Sequence, residues 1–182
     1  REIEARFQSG KSGVEETQSG RAFLHAMLPP PRILIIGATH MAQTLATLVQ
    51  MNGYEVVVVD PRTAFAAPQR FPGVKLVTEW PQDGLRSLGL DRYTAVAALA
   101  HVAHIDDEAL KLAVKSECFY IGALGSRRNH EKRSARLAEA GFSASEIARI
   151  KCPIGLDIGA STPPEIATSI MAEIIHHLRG SK

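Results

Sequence analysis

The sequence predicts an α/β protein, a three-layer αβα sandwich around a mostly parallel sheet with a short hairpin extension at its amino end. Three observations predict it. Ile33 to Ile36 and Val56 to Val59 are apolar runs without alternation, the pattern of parallel strands buried on both faces. A helical period lies between them, with Met41, Leu45, Leu48, Val49 and Met51 on one side and Asn52-Gly53 as the stop. The second run ends on Asp60, about 20 residues past Gly37, as in the first βαβ unit of a dinucleotide-binding fold.

The elements follow in order. Residues 1–7 read as the end of a helix. Gly13 to Thr17 and Arg21 to Met27 read as two short strands around a Gln18-Ser19-Gly20 turn. Pro29-Pro30-Pro31 is a stiff spacer and the clearest boundary in the chain. After Asp60, a loop rich in Pro, Ala and Arg runs to Gly73. Lys75 to Thr78 reads as a third strand, Gln82 to Leu88 as a short helix, and Thr94 to Ala100 as a fourth, buried strand. Asp106-Asp107-Glu108 is read as the start of a helix reaching about Ser116, since acids favour the positive end of a helix dipole. Cys118 to Ile121 is a fifth strand, ending in Gly122-Ala123-Leu124-Gly125-Ser126. A basic helix from Asn129 to Ala140 stops at Gly141. Ser143 to Glu146 and Thr162 to Glu165 are capping boxes, the second with Pro at the first helical position. Between them lies the irregular loop Pro153 to Ser161. The last helix carries Ile166, Ile170, Ile174 and Leu178 as a stripe that should pack on the sheet.

Composition narrows the function. A chain of 182 residues with 45% apolar residues is globular and long enough for one full core plus an extension. A net charge of +2 argues against a general nucleic-acid binder. No apolar run reaches membrane-spanning length. Cys118 and Cys152 form no disulfide framework, and no secretory signal is visible, so a reducing cytoplasm is the expected location. The first residue is Arg1 rather than Met, so the chain reads as a fragment.

In an open parallel sheet, ligands bind beyond the carboxyl ends of the strands at the switch point. A strand order of 3-2-1-4-5 places Gly37, Ala38, Thr39 and His40 opposite His101 to His104, flanked by Asp60 to Arg62 and by Gly122 to Arg128. The G-x-G-x-x-G/A fingerprint becomes Gly37, Thr39 and Ala42. Thr39 should obstruct an ordinary NAD pose, and a turn without any ligand is the competing reading. Gly125, Ser126, Arg127 and Arg128 open a helix and suit a phosphate. The competing reading is a solvated basic face continued by Lys132, Arg133 and Arg136. Asp60 could take a ribose or another diol, cap its strand, or pair with Arg62. His40 could donate to a ligand or cap the helix. His101 and His104 with Asp106 or Asp107 are too loosely spaced to argue for a metal. His176 and His177 suit the end of the last helix. Cys118 reads as core, and Cys152 as a small buried filler or a sulfur-handling thiol. No catalytic constellation stands out.

Four stretches resemble the XdhC/CoxI family, accessory proteins for xanthine dehydrogenase and related molybdenum hydroxylases. They are PPPRILIIGATHMAQTLA, VVVVDPRTAFAAPQRFP, YIGALGSRRNHEKRSARLAEAG and PIGLDIGASTPPEIATSIMAEI. The resemblance implies that residues 29–182 are the family's C-terminal Rossmann-like domain and residues 1–28 the tail of its truncated N-terminal domain. It also departs in two places. The family's Gly-Ala-Gly-His turn carries Thr39 here, and its Thr-His-Asp becomes Ala100-His101-Val102, although His101 and Asp106-Asp107 still match. It implies a chaperone rather than a catalyst, one that holds molybdenum cofactor as molybdopterin or a dinucleotide form. Such a protein assists sulfuration by a cysteine desulfurase and hands the cofactor to the apo-enzyme of a molybdenum hydroxylase. Asp157, in the Pro153 to Ser161 loop, joins the cofactor-binding candidates. The alternatives are an NAD(P)-dependent oxidoreductase and a non-catalytic regulatory Rossmann domain. An unmated hairpin and an Ile-rich final helix leave room for a homodimer.

Overall fold

The computed structural model describes residues 3, 6, 10–17 and 20–180. The expected helix end falls mostly outside the described residues, as do Gln18 and Ser19 of the expected turn. The chain divides into two compact units, one up to Pro30 and one from Pro31. The first contains an antiparallel hairpin of β1 (Gly13–Thr17) and β2 (Gly20–Leu24).

The second unit is a Rossmann-like sandwich. Its strands are β3 (Arg32–Ile36), β4 (Glu55–Val59), β5 (Lys75–Val77), β6 (Thr94–Ala98), β7 (Tyr120–Ala123) and β8 (Ile150–Lys151). They lie in the order β5-β4-β3-β6-β7-β8, and every pairing is parallel. The sixth strand extends the expected five. The helices are α1 (His40–Met51), α2 (Pro81–Leu88), α3 (Ala103–Ala113), α4 (Arg127–Glu139), α5 (Ala144–Ile147) and α6 (Pro163–Gly180).

The central strands read as continuous apolar runs because both faces are covered. Ile33, Ile35, Val56, Val58 and Ala97 face Leu45, Ala46 and Val49 of α1 and Ile170 and Ile174 of α6. Leu34, Ile36, Val57, Val59 and Val96 face Leu85 of α2, Ile105 and Leu110 of α3, and Leu137 of α4. The Ile stripe of α6 therefore meets α1 as well as β7. Met51 does not join the core: it is 77% exposed at the end of α1.

Two elements differ from expectation in ways that move chemistry. Helix α3 begins three residues early, at Ala103, so Asp106 and Asp107 lie inside it and are buried. Strand β7 is shifted towards the carboxyl end, so Gly122 lies within the strand rather than in a turn beyond it. A Cβ at Gly122 would approach the Tyr120 hydroxyl to 2.5 Å and Ile154 to 2.6 Å, so this glycine makes room for neighbouring side chains.

Candidate functional site

All six strands point their carboxyl ends to one edge of the sheet, and the sequence-predicted groups gather there in three clusters.

The first cluster is Gly37 to His40 with Asp60 and Arg62. Gly37 has φ +99°, and a Cβ there would sit 2.4 Å from the Cα of Ala100. Glycine is needed for the turn and for this close approach. The turn is furnished from within. Asp60, fully buried, accepts hydrogen bonds from Ala38 N at 2.7 Å, from Arg62 N and Nε at 2.9 Å each, and from Arg62 Nη2 at 2.7 Å. Burial alone would raise the Asp60 carboxyl, but these bonds and the Arg62 charge hold it below the ordinary value. Arg62 also lies 4.4 Å from the Phe65 ring centroid, and Arg70 donates to the Ala38 carbonyl at 2.9 Å. Thr39 is the N-cap of α1, its hydroxyl accepting from Ala42 N at 3.3 Å. His40 is exposed and is not the cap; its Nδ1 lies 3.3 Å from Gln43 Oε1.

The second cluster surrounds His101. This residue has φ +57°, a left-handed conformation uncommon without glycine. Asp106 reaches back from the first turn of α3 to accept from Ala100 N at 3.1 Å and from His101 N. The carboxylate thus serves the turn before its helix. Burial pushes the Asp106 carboxyl up to about 6, against those two bonds and the nearby Arg133 charge. A cleft of about 190 Å³ opens here, lined by His101, Asp106, Leu124, Lys132, Arg133 and Arg136 among others. His104 leaves this group and lies against Trp80, ring centroids 5.9 Å apart. Among the described residues no group of three or more His, Cys, Asp or Glu side chains could hold a metal ion.

Arg133 corrects the reading of a fully solvated basic helix face. It is only 6% exposed, and its Nη2 donates to the Leu124 carbonyl at 3.0 Å. Its Nη1 lies 3.7 Å from Cys152 Sγ, and its Nε lies 3.6 Å from Asp107 Oδ1. Arg136 pairs with the other Asp107 oxygen at 2.6 Å. The spacing of Arg133 from Leu137, one helical turn, was the available signal for an inward position. Cys152 is half-buried between Arg133 and the Gly125 carbonyl, and burial pushes its thiol up. Cys118 is buried core.

The third cluster lies past β7. Ser126 is the N-cap of α4, and Arg127 and Arg128 are exposed in its first turn. Arg127 lines a cleft of about 430 Å³ with Leu124, Ile154, Leu156, Asp157 and Ile166. Leu124 is common to this cleft and the one at His101. The far wall is the loop after β8, and a group unrecognised in the sequence holds it. Glu173 of α6 accepts from Tyr120 OH at 2.5 Å and from Gly155 N at 2.8 Å, and Leu156 N donates to the Ser169 carbonyl at 3.2 Å. Gly155 has φ +98°, and a Cβ would meet Ser169 Oγ at 2.3 Å. The signal for Glu173 was an acid beside Ile170 and Ile174 on the inward side of the helix.

The parallel order and the glycine bend after β3 define a Rossmann-type domain, with clefts at the edge past β6 and β7. The XdhC Rossmann domain matches residues 33–174, and the chain belongs to that family. It is 31% identical over 159 residues to a Bacillus subtilis (strain 168) protein named as a probable xanthine dehydrogenase subunit, covering 87% of this chain and 46% of that protein. It is 31% identical over 146 residues to the "molybdenum cofactor insertion chaperone PaoD" of Escherichia coli (strain K12), covering 80% of this chain and 40% of that one. The chain therefore spans less than half the length of either relative. A crystal structure described as a xanthine dehydrogenase from Bacillus halodurans matches with a TM-score of 0.74 at 24% identity, covering 100% of this chain and 64% of that one, which shows the fold.

Proposed function

We propose that this chain is a molybdenum-cofactor-binding domain of a maturation factor for a molybdenum hydroxylase of the xanthine dehydrogenase type. The family and the name of the PaoD relative support the class. The structural observation that carries the reading is the division of labour along the carboxyl edge. The first turn is occupied by the protein's own Asp60–Arg62 pair and Arg70, whereas the β7 end offers open clefts and cations.

The residues fit a phosphate-bearing pyranopterin. Among the described residues the Arg127 side chain makes no hydrogen bond or ion pair, and it stands in the first turn of α4, where helix polarity favours an anion. The larger cleft falls within the 300–1,000 Å³ range typical of small-ligand sites. Bound there, the cofactor would supply the redox-active metal of the recipient enzyme, while this chain orients and shields it. The same geometry disfavours a nicotinamide dehydrogenase. Asp60, the expected ribose acceptor, already takes four hydrogen bonds from its own chain. The apo-hydroxylase is the proposed recipient. A cysteine desulfurase and a second copy of the chain are further proposed partners, and the cytoplasm is the proposed location. Among the described residues no helix is long and apolar enough to cross a membrane.

The test is pterin content after purification from a host that makes the cofactor. The double variant Arg127→Ala/Arg128→Ala should retain a small fraction of the wild-type amount. Equal content in the two proteins would overturn the phosphate assignment.

A further inference from the structure

The two charged side chains lining the larger cleft are unspent. Neither Arg127 nor Asp157 has a hydrogen-bond or ion-pair partner among the described residues. Around them the lining is apolar, from Leu124, Ile154, Leu156 and Ile166. This is the build of a small-molecule site: an apolar slot with a few polar groups to fix orientation. The slot is preformed. Glu173 and the Ser169 carbonyl hold the backbone N–H groups of Gly155 and Leu156, and Asp157 follows directly.

We infer that this cleft binds a fused-ring heterocycle through its 2-amino-4-oxo-pyrimidine edge, with Asp157 as the reader of that edge and Arg127 on the attached phosphate. The chemistry follows from the donor set. A carboxylate only accepts, so it matches a ring edge that presents an amino group beside a ring N–H. The apolar side chains would cover the ring faces. Arg127 supplies the charge for the phosphate tail. Pterins and guanine both carry this edge, whereas adenine does not, so the site would serve a pyranopterin or the guanine of a dinucleotide form. This inference rests on the proposed cofactor role and adds the residue that selects the ring.

The experiment is a set of binding titrations of the purified chain with 6-hydroxymethylpterin, its diphosphate, guanosine 5′-monophosphate and adenosine 5′-monophosphate. They are repeated with Asp157→Asn and with Arg127→Gln. Both positions are exposed, and neither substitution removes a buried contact. The wild type should bind the pterin probe or GMP in preference to AMP, and which of the two binds more tightly identifies the source of the edge. Asp157→Asn should weaken that binding about tenfold or more, the loss expected for a charge-assisted hydrogen bond. Arg127→Gln should weaken the phosphorylated probe but leave the phosphate-free pterin unchanged. Unaltered affinity in Asp157→Asn, or no binding of any edge-bearing probe to the wild type, would overturn the inference. If pterin still co-purifies with the chain under that outcome, only the ring assignment falls. If it does not, the cofactor role falls with it.

Discussion

Replacing Glu173 with Ala should destabilise the domain and loosen the wall of its larger cleft together. The carboxylate is 9% exposed and accepts from the Tyr120 hydroxyl at 2.5 Å and the Gly155 amide at 2.8 Å. Its loss leaves two donors without partners in the interior. An unsatisfied buried donor costs about 1–3 kcal/mol, so the pair amounts to about 2–6 kcal/mol. That is a large share of a typical domain stability of about 5–15 kcal/mol. In urea, with a slope of about 1–3 kcal/mol per molar, the midpoint should fall by roughly 1–2 M. Both donors meet the same oxygen, Oε2, so Glu173→Gln, whose one amide oxygen can take that place, should lose much less than Glu173→Ala. Tyr120→Phe in both backgrounds should reveal a coupling of about 1–2 kcal/mol between the two side chains. A Glu173→Ala midpoint within about 0.2 M of the wild type would refute the claim that this carboxylate clamps the loop.

Three further outcomes follow from the carboxyl edge. Asp106 titrates higher folded, about 6, than its unfolded value of 3.8. The native state therefore binds the extra proton between those values, and stability falls as pH rises through that window, by about 3 kcal/mol in all. Asp106→Asn should match the wild type near pH 4 and exceed it in stability at pH 7.5; a variant less stable at pH 7.5 than at pH 4, relative to wild type, would refute the assignment to burial. Gly37→Ala, with φ +99° and a Cβ 2.4 Å from Ala100, should lose at least about 3 kcal/mol or fail to fold, as read by circular dichroism on heating. Asp60 has a depressed pKa, so its contribution is present above the unfolded value of 3.8 and lost as pH falls through the folded one. Asp60→Asn should remove that acid-side loss from the stability profile, and an unchanged profile would contradict it.

The fold was legible because its central strands are uninterrupted β-branched and apolar runs, and because Gly37 and Asp60 stand at the spacing of a βαβ unit. Strand β8 was not legible, since Ile150–Lys151 is two residues long and carries no period. Residue types at the edge were readable, but their engagements were not. Asp60 read equally as a ligand group or as a partner of Arg62; the structure pairs the two and ties the carboxylate to the bend after Gly37. Thr39 looked like an obstruction and serves as a helix cap. Asp106 read as a helix-opening acid, but the earlier start of α3 turned it back onto the His101 turn. Arg133 and Glu173 act through long-range contacts to Leu124 and Gly155, which no local pattern announces.

The most direct test of the cofactor role is to purify the chain from a host that synthesises molybdenum cofactor and to measure both oxidised pterin fluorescence and molybdenum per chain. Pterin should be present in near-stoichiometric amount and should pass from the wild type to excess apo-hydroxylase. Purified chain free of pterin, and unable to take it up from cofactor released by a denatured hydroxylase, would contradict that role.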